Sequence, residues 1–256
     1  RLYQENRDQQ ILTDVNNDVK GNKYSIIGEA IYEKKFANNN RISTGLRHSQ
    51  SFSDNSYVNG HAYNTHMVQG ESYLYAEYSG KVKKLDYSVG AGVTRSYYSQ
   101  RGSGISYERY TANPRLTLFY TFPNQSSIRL KSNISSTAPS LGELSAIDQT
   151  IDSLQIQRGN PSLKSYLCYR TELDYEFRKK LVYFNLSNVY DYQPKAIMDE
   201  KYQEGNKIIQ SWDNQRNWQR WASSAELKVG PWKDLLQISL NGGVNYYISN
   251  GNDYTH

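Results

Sequence analysis

The sequence predicts an all-β protein, an antiparallel up-and-down transmembrane β-barrel of about ten strands, and three observations carry that prediction. Apolar side chains alternate with polar ones at a period of two along run after run, as on a pleated strand with one oily face. The runs come in pairs closed by a few residues, and successive pairs are separated by polar stretches of roughly 15 to 30 residues. Aromatic residues cluster toward the run ends, where an amphipathic ring suits the headgroup level of a bilayer.

The clearest pair runs from Leu167 to Phe177 and from Val182 to Tyr192, joined across Arg178, Lys179 and Lys180. In the first run Leu167, Tyr169, Thr171, Leu173, Tyr175 and Phe177 alternate with Cys168, Arg170, Glu172, Asp174 and Glu176, so one face is apolar and the other charged. The second repeats this with Val182, Phe184, Leu186, Tyr190 and Tyr192, and the short basic link fixes an antiparallel hairpin.

The other elements are variations on it. Residues 1–22 show no period and read as the end of a surface loop. Tyr24, Ile26, Gly28, Ala30 and Tyr32 form a weakly apolar face that Ile27 and Ile31 interrupt, and Ile42, Thr44 and Leu46 return after a turn at Ala37 to Asn40. A polar loop is expected from about Ser51 to Val68. Leu74, Ala76 and Tyr78 lead through Ser79 to Lys83 into Leu85, Tyr87, Val89, Ala91 and Val93, whose opposite face carries Gly90 and Gly92. Two glycines on one face predict close approach of a plug or another surface. After a Ser-, Gly- and Arg-rich loop from Tyr98 to Ala112, Leu116, Leu118, Tyr120 and Phe122 pair with Ile128, Leu130 and Ile134 across Pro123 to Ser126. Loops follow at Ser135 to Ser165 and Gln193 to Asn217. The last pair takes Trp221, Ala225, Leu227 and Val229 through Gly230 to Asp234 into Leu236, Ile238, Leu240, Val244 and Tyr246. Short links at one end and long loops at the other are the asymmetry of an outer-membrane barrel. Lys34, Lys35, Lys81, Lys83, Lys84 and Arg178 to Lys180 flank the short links, as cations that snorkel to lipid phosphates or that blunt sheet edges.

Composition agrees. The 256 residues include 24 Tyr, two Met and one Cys, with 37% hydrophobic residues and a mean hydropathy of -0.81. That is poor for a globular core but suits a wall apolar on half its positions, or a loop-rich soluble β protein. No run of about 20 apolar residues exists, so no transmembrane helix is expected. The first ten residues are polar, with no secretory signal, and Cys168 alone cannot form an internal disulfide. A net charge of +5 is dispersed among acids on the same faces, which argues against nucleic acid. The histidines His48, His61, His66 and His256 have no metal-ligand spacing, the glycines at Gly102 and Gly104 precede no helix, and no Ser/His/Asp set stands out. The chain is therefore expected to have no catalytic residues, no metal and no cofactor.

The most specific wording lies in the loop from Ser135. Ser136-Thr137-Ala138-Pro139-Ser140-Leu141-Gly142-Glu143-Leu144 is followed by Arg158-Gly159-Asn160-Pro161-Ser162-Leu163-Lys164, directly before a Tyr-rich strand. The two segments resemble the barrel region of TonB-dependent receptors of the Bacteroidota type, in which they bracket an extracellular loop. The resemblance implies a bacterial outer-membrane barrel that takes up a small molecule such as an iron chelate, a glycan or a peptide, among outer-membrane lipid. It also implies a TonB-type energy-coupling protein acting through a plug, and a surface lipoprotein, as partners. Such receptors have a plug, a coupling box and about 22 strands ending in an aromatic residue, so residues 1–256 are expected to be part of a larger barrel, a self-closing ten-strand barrel being the alternative. Loop residues able to touch a ligand by stacking or forked hydrogen bonds are Tyr98, Arg101, Tyr107, Arg109, Tyr110, Gln155, Gln157, Arg158, Trp212 and Trp218. A soluble or surface-attached β adhesin and a passive porin are the other readings.

Overall fold

The computed structural model describes residues 2–5, 11–15, 18–59, 61–101, 106–145, 148–152, 154–233 and 235–253. In chain order the strands are β1 (Leu2–Glu5), β2 (Ile11–Val15), β3 (Asp18–Lys35), β4 (Arg41–Asn59), β5 (His61–Val82), β6 (Leu85–Arg101), β7 (Ser106–Ala112), β8 (Arg115–Thr121) and β9 (Ser127–Thr137). A one-turn helix α1 (Leu141–Leu144) follows, then β10 (Gln149–Thr150), β11 (Gln155–Gln157), β12 (Tyr166–Lys179), β13 (Val182–Pro194), β14 (Ile197–Glu204), β15 (Lys207–Asn214), β16 (Asn217–Trp232) and β17 (Leu236–Asn250). β1 and β2 pair as a separate ribbon.

One sheet organises the molecule. Its order is β17-β16-β13-β12-β9-β8-β6-β5-β4-β3, each neighbour antiparallel to the next, so the chain simply runs up and down. The five hairpins with short links are those the alternation predicts. Each short turn places one non-glycine residue in the left-handed region: Asn39, Lys83, Gln125, Lys180 and Lys233, at φ between 50° and 67°. Among the described residues no ladder joins β3 to β17. Among the described residues the ten strands thus form one open sheet with β3 and β17 at its edges.

Register fixes the faces. Leu173 lies opposite Leu130, which lies opposite Leu118, and Phe177 lies opposite Phe184, which lies opposite Leu227. These residues share the face that the alternation makes apolar, and they are not enclosed: Leu173 is 40% exposed and Val89 53%. A single-layer wall has nothing to cover that face except a solvent of its own kind. The opposite face is laced with charge: Asp191 accepts from Arg170 at 3.2 Å and from Arg220 at 2.6 Å, and Lys131 pairs with Glu172 at 3.0 Å. Cys168 lies on this face, with its Sγ 3.5 Å from Thr137 Oγ1.

Two expectations need correction. The polar stretches read as loops are largely strand: β4 and β5 continue as a tall hairpin through Ser51 to Val68, with only residue 60 between them, and β7 pairs back on β6. Hairpin β14–β15 occupies most of Gln193 to Asn217, and β3 begins at Asp18, inside the expected leading loop. A hairpin in water on both sides needs no oily face, so it has no period to read. Second, the space beside Gly90 and Gly92 is taken up within the sheet itself. A Cβ at Gly92 would meet the Tyr73 ring at 2.5 Å, and one at Gly90 would meet Arg115 Cγ at 3.1 Å, so side chains of neighbouring strands fill the space. As the break in their alternation implies, Ile27 and Ile31 face the charged side of edge strand β3, at 60% and 58% exposure. Residues 102–105 and 254–256, including Gly102, Gly104 and His256, lie outside the described residues.

Candidate functional site at the long-hairpin mouth

The wall carries its compact packing at one end. Met67, Tyr98, Leu144 and Leu163 form a buried cluster, with Tyr107, Ile197 and Trp212 against it. Register puts Met67, Tyr98 and Tyr107 on the charged, inward face of the tall hairpins. The segment 138–165 is therefore folded over the inner side of the mouth.

The two distinctive segments build this lid. Ser140 caps α1: the Glu143 N–H donates to Ser140 Oγ at 3.3 Å, and the Ser140 N–H donates to Glu143 Oε2 at 2.6 Å. The single turn aims Leu144 into the cluster. Gly159 passes so close that a Cβ would strike the carbonyl oxygens of Ser145 and Glu143, which only glycine permits. Asn160 then serves three elements: its N–H donates to Glu143 O at 2.6 Å, its Nδ2 to Trp212 O at 3.0 Å, and its Oδ1 accepts from the Ser162 N–H at 2.9 Å. Leu163 drops into the core beside Leu144, and Asn214 brackets the next residue through Lys164 N–H at 2.8 Å and Lys164 O at 2.8 Å.

Sites named from sequence divide accordingly. Tyr98 is 4% exposed, and burial pushes its phenol up to about 12. Tyr107 donates to Ser165 Oγ at 2.5 Å, Arg109 Nη1 donates to Ser165 O, and Trp212 packs on the cluster. These four are committed to holding the lid. Arg158 grips both carboxylate oxygens of Asp148 at 2.6 and 2.9 Å and Glu204 at 3.0 Å, and this fork holds the Asp148 carboxyl below its usual range. Gln155 accepts from Gln210 Nε2 at 2.8 Å, and β11 with Gln157 runs parallel to β15, over buried Ile156 and Ile209. Trp218 stays on the inner wall, 5.9 Å from the Tyr247 ring. Arg101 and Tyr110 are exposed on the outward side of the hairpins, and Tyr110 donates to Glu108 at 3.0 Å. Sequence reasoning missed Asp148, Glu204, Asn160 and Leu144 as partners, although two of these stand in the quoted segments.

Below the lid the inner wall is dented. A concavity of about 420 Å³ is lined by Glu71, Tyr73, Thr94, Asn113, Arg115 and Lys131 among others, where Pro114 interrupts the course from β7 to β8. Arg115 lies 5.7 and 5.5 Å above the Tyr73 and Tyr75 rings, which stack on each other at 5.3 Å. His66 pairs with Asp54 and His48 with Ser72, and among the described residues no three His, Cys, Asp or Glu converge as metal ligands. The side chain of His61 lies outside the described residues.

An outward oily face, a charged inner face and a mouth closed by hairpins describe a membrane wall. A family model described as the outer membrane protein beta-barrel family matches residues 1–256. The chain belongs to this family. It is an outer-membrane protein, which sets aside the soluble adhesin.

The fold is shared with solved structures. The structure titled "Copper transporter OprC" superposes with a TM-score of 0.75 at 7% identity, over 93% of this chain and 40% of that one. A variant of the ferric enterobactin receptor PfeA from Pseudomonas aeruginosa, in complex with enterobactin, gives 0.65 at 15% identity, over 87% and 35%. The siderophore receptor PirA from Acinetobacter baumannii gives 0.60 at 12% identity, over 96% and 39%. The outer-membrane β-barrel chain thus spans about two fifths or less of those structures. No curated protein matches it.

Proposed function

We propose that this chain is part of the barrel wall of an energy-coupled uptake receptor of the TonB-dependent kind, of the Bacteroidota type that the Ser136–Leu144 and Arg158–Lys164 segments resemble. The observation that carries the reading is the clasped lid: both segments are spent on folding 138–165 over the inner side of the mouth, above a polar dent in the wall. A passive channel has no need of such a cover. Superposition on transporters and receptors supports the same reading at the level of fold. In it, further strands continue the sheet from β3 and β17, a plug fills the lumen and links to a TonB-type protein, and a surface lipoprotein docks over the hairpins. The ligand-touching subset is Gln155, Gln157 and Trp218, with Arg101 and Tyr110 meeting what lies outside the mouth.

The test is accumulation by cells that produce the protein, with ferric enterobactin, a maltooligosaccharide and a tripeptide as probes. One probe is expected to accumulate, and a protonophore to abolish that accumulation. Accumulation indifferent to the protonophore makes the protein a passive channel, and accumulation of none removes uptake of these classes.

A further inference from the structure

The charge of this chain is sorted by end. The turn segments 33–41, 81–86, 121–127, 176–182 and 228–235 together hold eleven Lys or Arg against four Asp or Glu. The lid, the hairpin β14–β15 and their flanks, at 138–166, 195–217 and 251–253, hold six against eight. The short-turn end alone therefore exceeds the +5 of the whole chain.

Little of this positive charge is used inside the protein. Arg41 pairs with Glu33 at 3.5 Å, Lys81 with Asp86 at 3.1 Å, and Lys228 with Glu226 at 2.7 Å. Lys34, Lys35, Lys83, Lys84, Arg178, Lys179, Lys180 and Lys233 are exposed and have no ion pair among the described residues. At the same level sit exposed apolar groups: Phe36, Val82, Leu181, Trp232 and Leu235, the last 87% exposed. Lys34 lies over the Phe36 ring at 5.6 Å, a cation beside an apolar anchor. Cations above a rim of greasy side chains match the chemistry of a bilayer's interface, where acyl chains end and phosphates begin.

We infer that the short-turn rim is a basic collar that binds anionic phospholipid headgroups of the periplasmic leaflet. The collar is spread over four of the five turns, so it meets a plane of phosphates and not a single pocket. Its distribution suits a lipid surface better than a compact acidic protein, because the cations are interleaved with side chains that need hydrocarbon beside them.

Lipid retention tests this directly. The protein is reconstituted into liposomes of phosphatidylcholine with phosphatidylglycerol, extracted in mild detergent, and its bound lipid quantified. The wild type is expected to retain phosphatidylglycerol over phosphatidylcholine by about fivefold or more, and 0.5 M NaCl to remove most of that preference. K34Q/K35Q/K84Q/K179Q is expected to lose it, whereas the extracellular set K164Q/K195Q/K201Q/K207Q keeps it. Inorganic phosphate is expected to act no more strongly than NaCl of equal ionic strength. Absence of a preference in the wild type, equal loss in both variant sets, or displacement by phosphate at low ionic strength overturns the collar as a lipid site. If the turn variant does not fold, the salt dependence of the wild type decides alone.

Discussion

Gly159 shows how one residue sets the mouth's geometry. A Cβ there would strike Ser145 O and come within 2.7 Å of Glu143 O, so even a methyl group must push the end of α1 away from the Gly159 backbone. Gly159→Ala is expected to expose Leu144 and Leu163 and to speed proteolytic cleavage within 138–165 by tenfold or more, at a cost of about 2 kcal/mol, with the wall intact. Cleavage at the wild-type rate would show the clasp to be slack. The Asp148–Arg158 fork makes a second claim at this scale. Its hydrogen bond lowers the folded-state pKa of Asp148, so its contribution is fully present above the unfolded value of about 3.9 and is lost as pH falls through the lowered one. Hydrogen exchange of 148–158 is expected to rise below about pH 4 well before the strands respond, and Asp148→Asn to produce the same rise at pH 7. Equal exchange in the variant at neutral pH removes the fork as a latch.

At the scale of elements, the five hairpins were legible because each membrane strand must show oil to one side and water to the other. Leu116, Leu118 and Tyr120 obey that rule, and so does β12 from Leu167 to Phe177. Ser51 to Val68 was illegible for the converse reason: beyond the bilayer both faces of β4 and β5 are wet, and register alone holds the ladder. The candidate site was half legible. Arg and aromatic side chains stand out in the sequence, but a ring that can stack on a ligand can equally pack on Leu144, and a fork that can grip a foreign carboxylate can grip Asp148. Sequence separation conceals such partners, since Tyr107 meets Ser165 across 58 positions. The alternation itself makes a quantitative claim. Leu118 lies mid-wall on the outward face, so Leu118→Arg is expected to cost about 2–4 kcal/mol, read from urea titration of folding into lipid vesicles. Thr117→Arg, one position along on the charged face, is expected to cost less than half as much. Equal penalties would mean that the two faces meet the same solvent.

At the scale of the whole molecule, the open sheet and the bilayer are in tension. β3 and β17 each present a row of backbone N–H and C=O groups along an edge, over strands of 18 and 15 residues. Water can satisfy such an edge, whereas hydrocarbon cannot, and each unsatisfied group there costs several kcal/mol. In the membrane both edges must therefore be paired, with each other or with other strands. Hydrogen exchange of the protein in nanodiscs tests this. Peptides covering 24–34 and 236–246 are expected to exchange as slowly as 169–177 at the centre of the sheet, because all three lie in the same closed ladder. Exchange of either edge faster by a hundredfold or more, with the centre protected, would mean that the edges stand open to water and that this wall bounds something other than a sealed barrel.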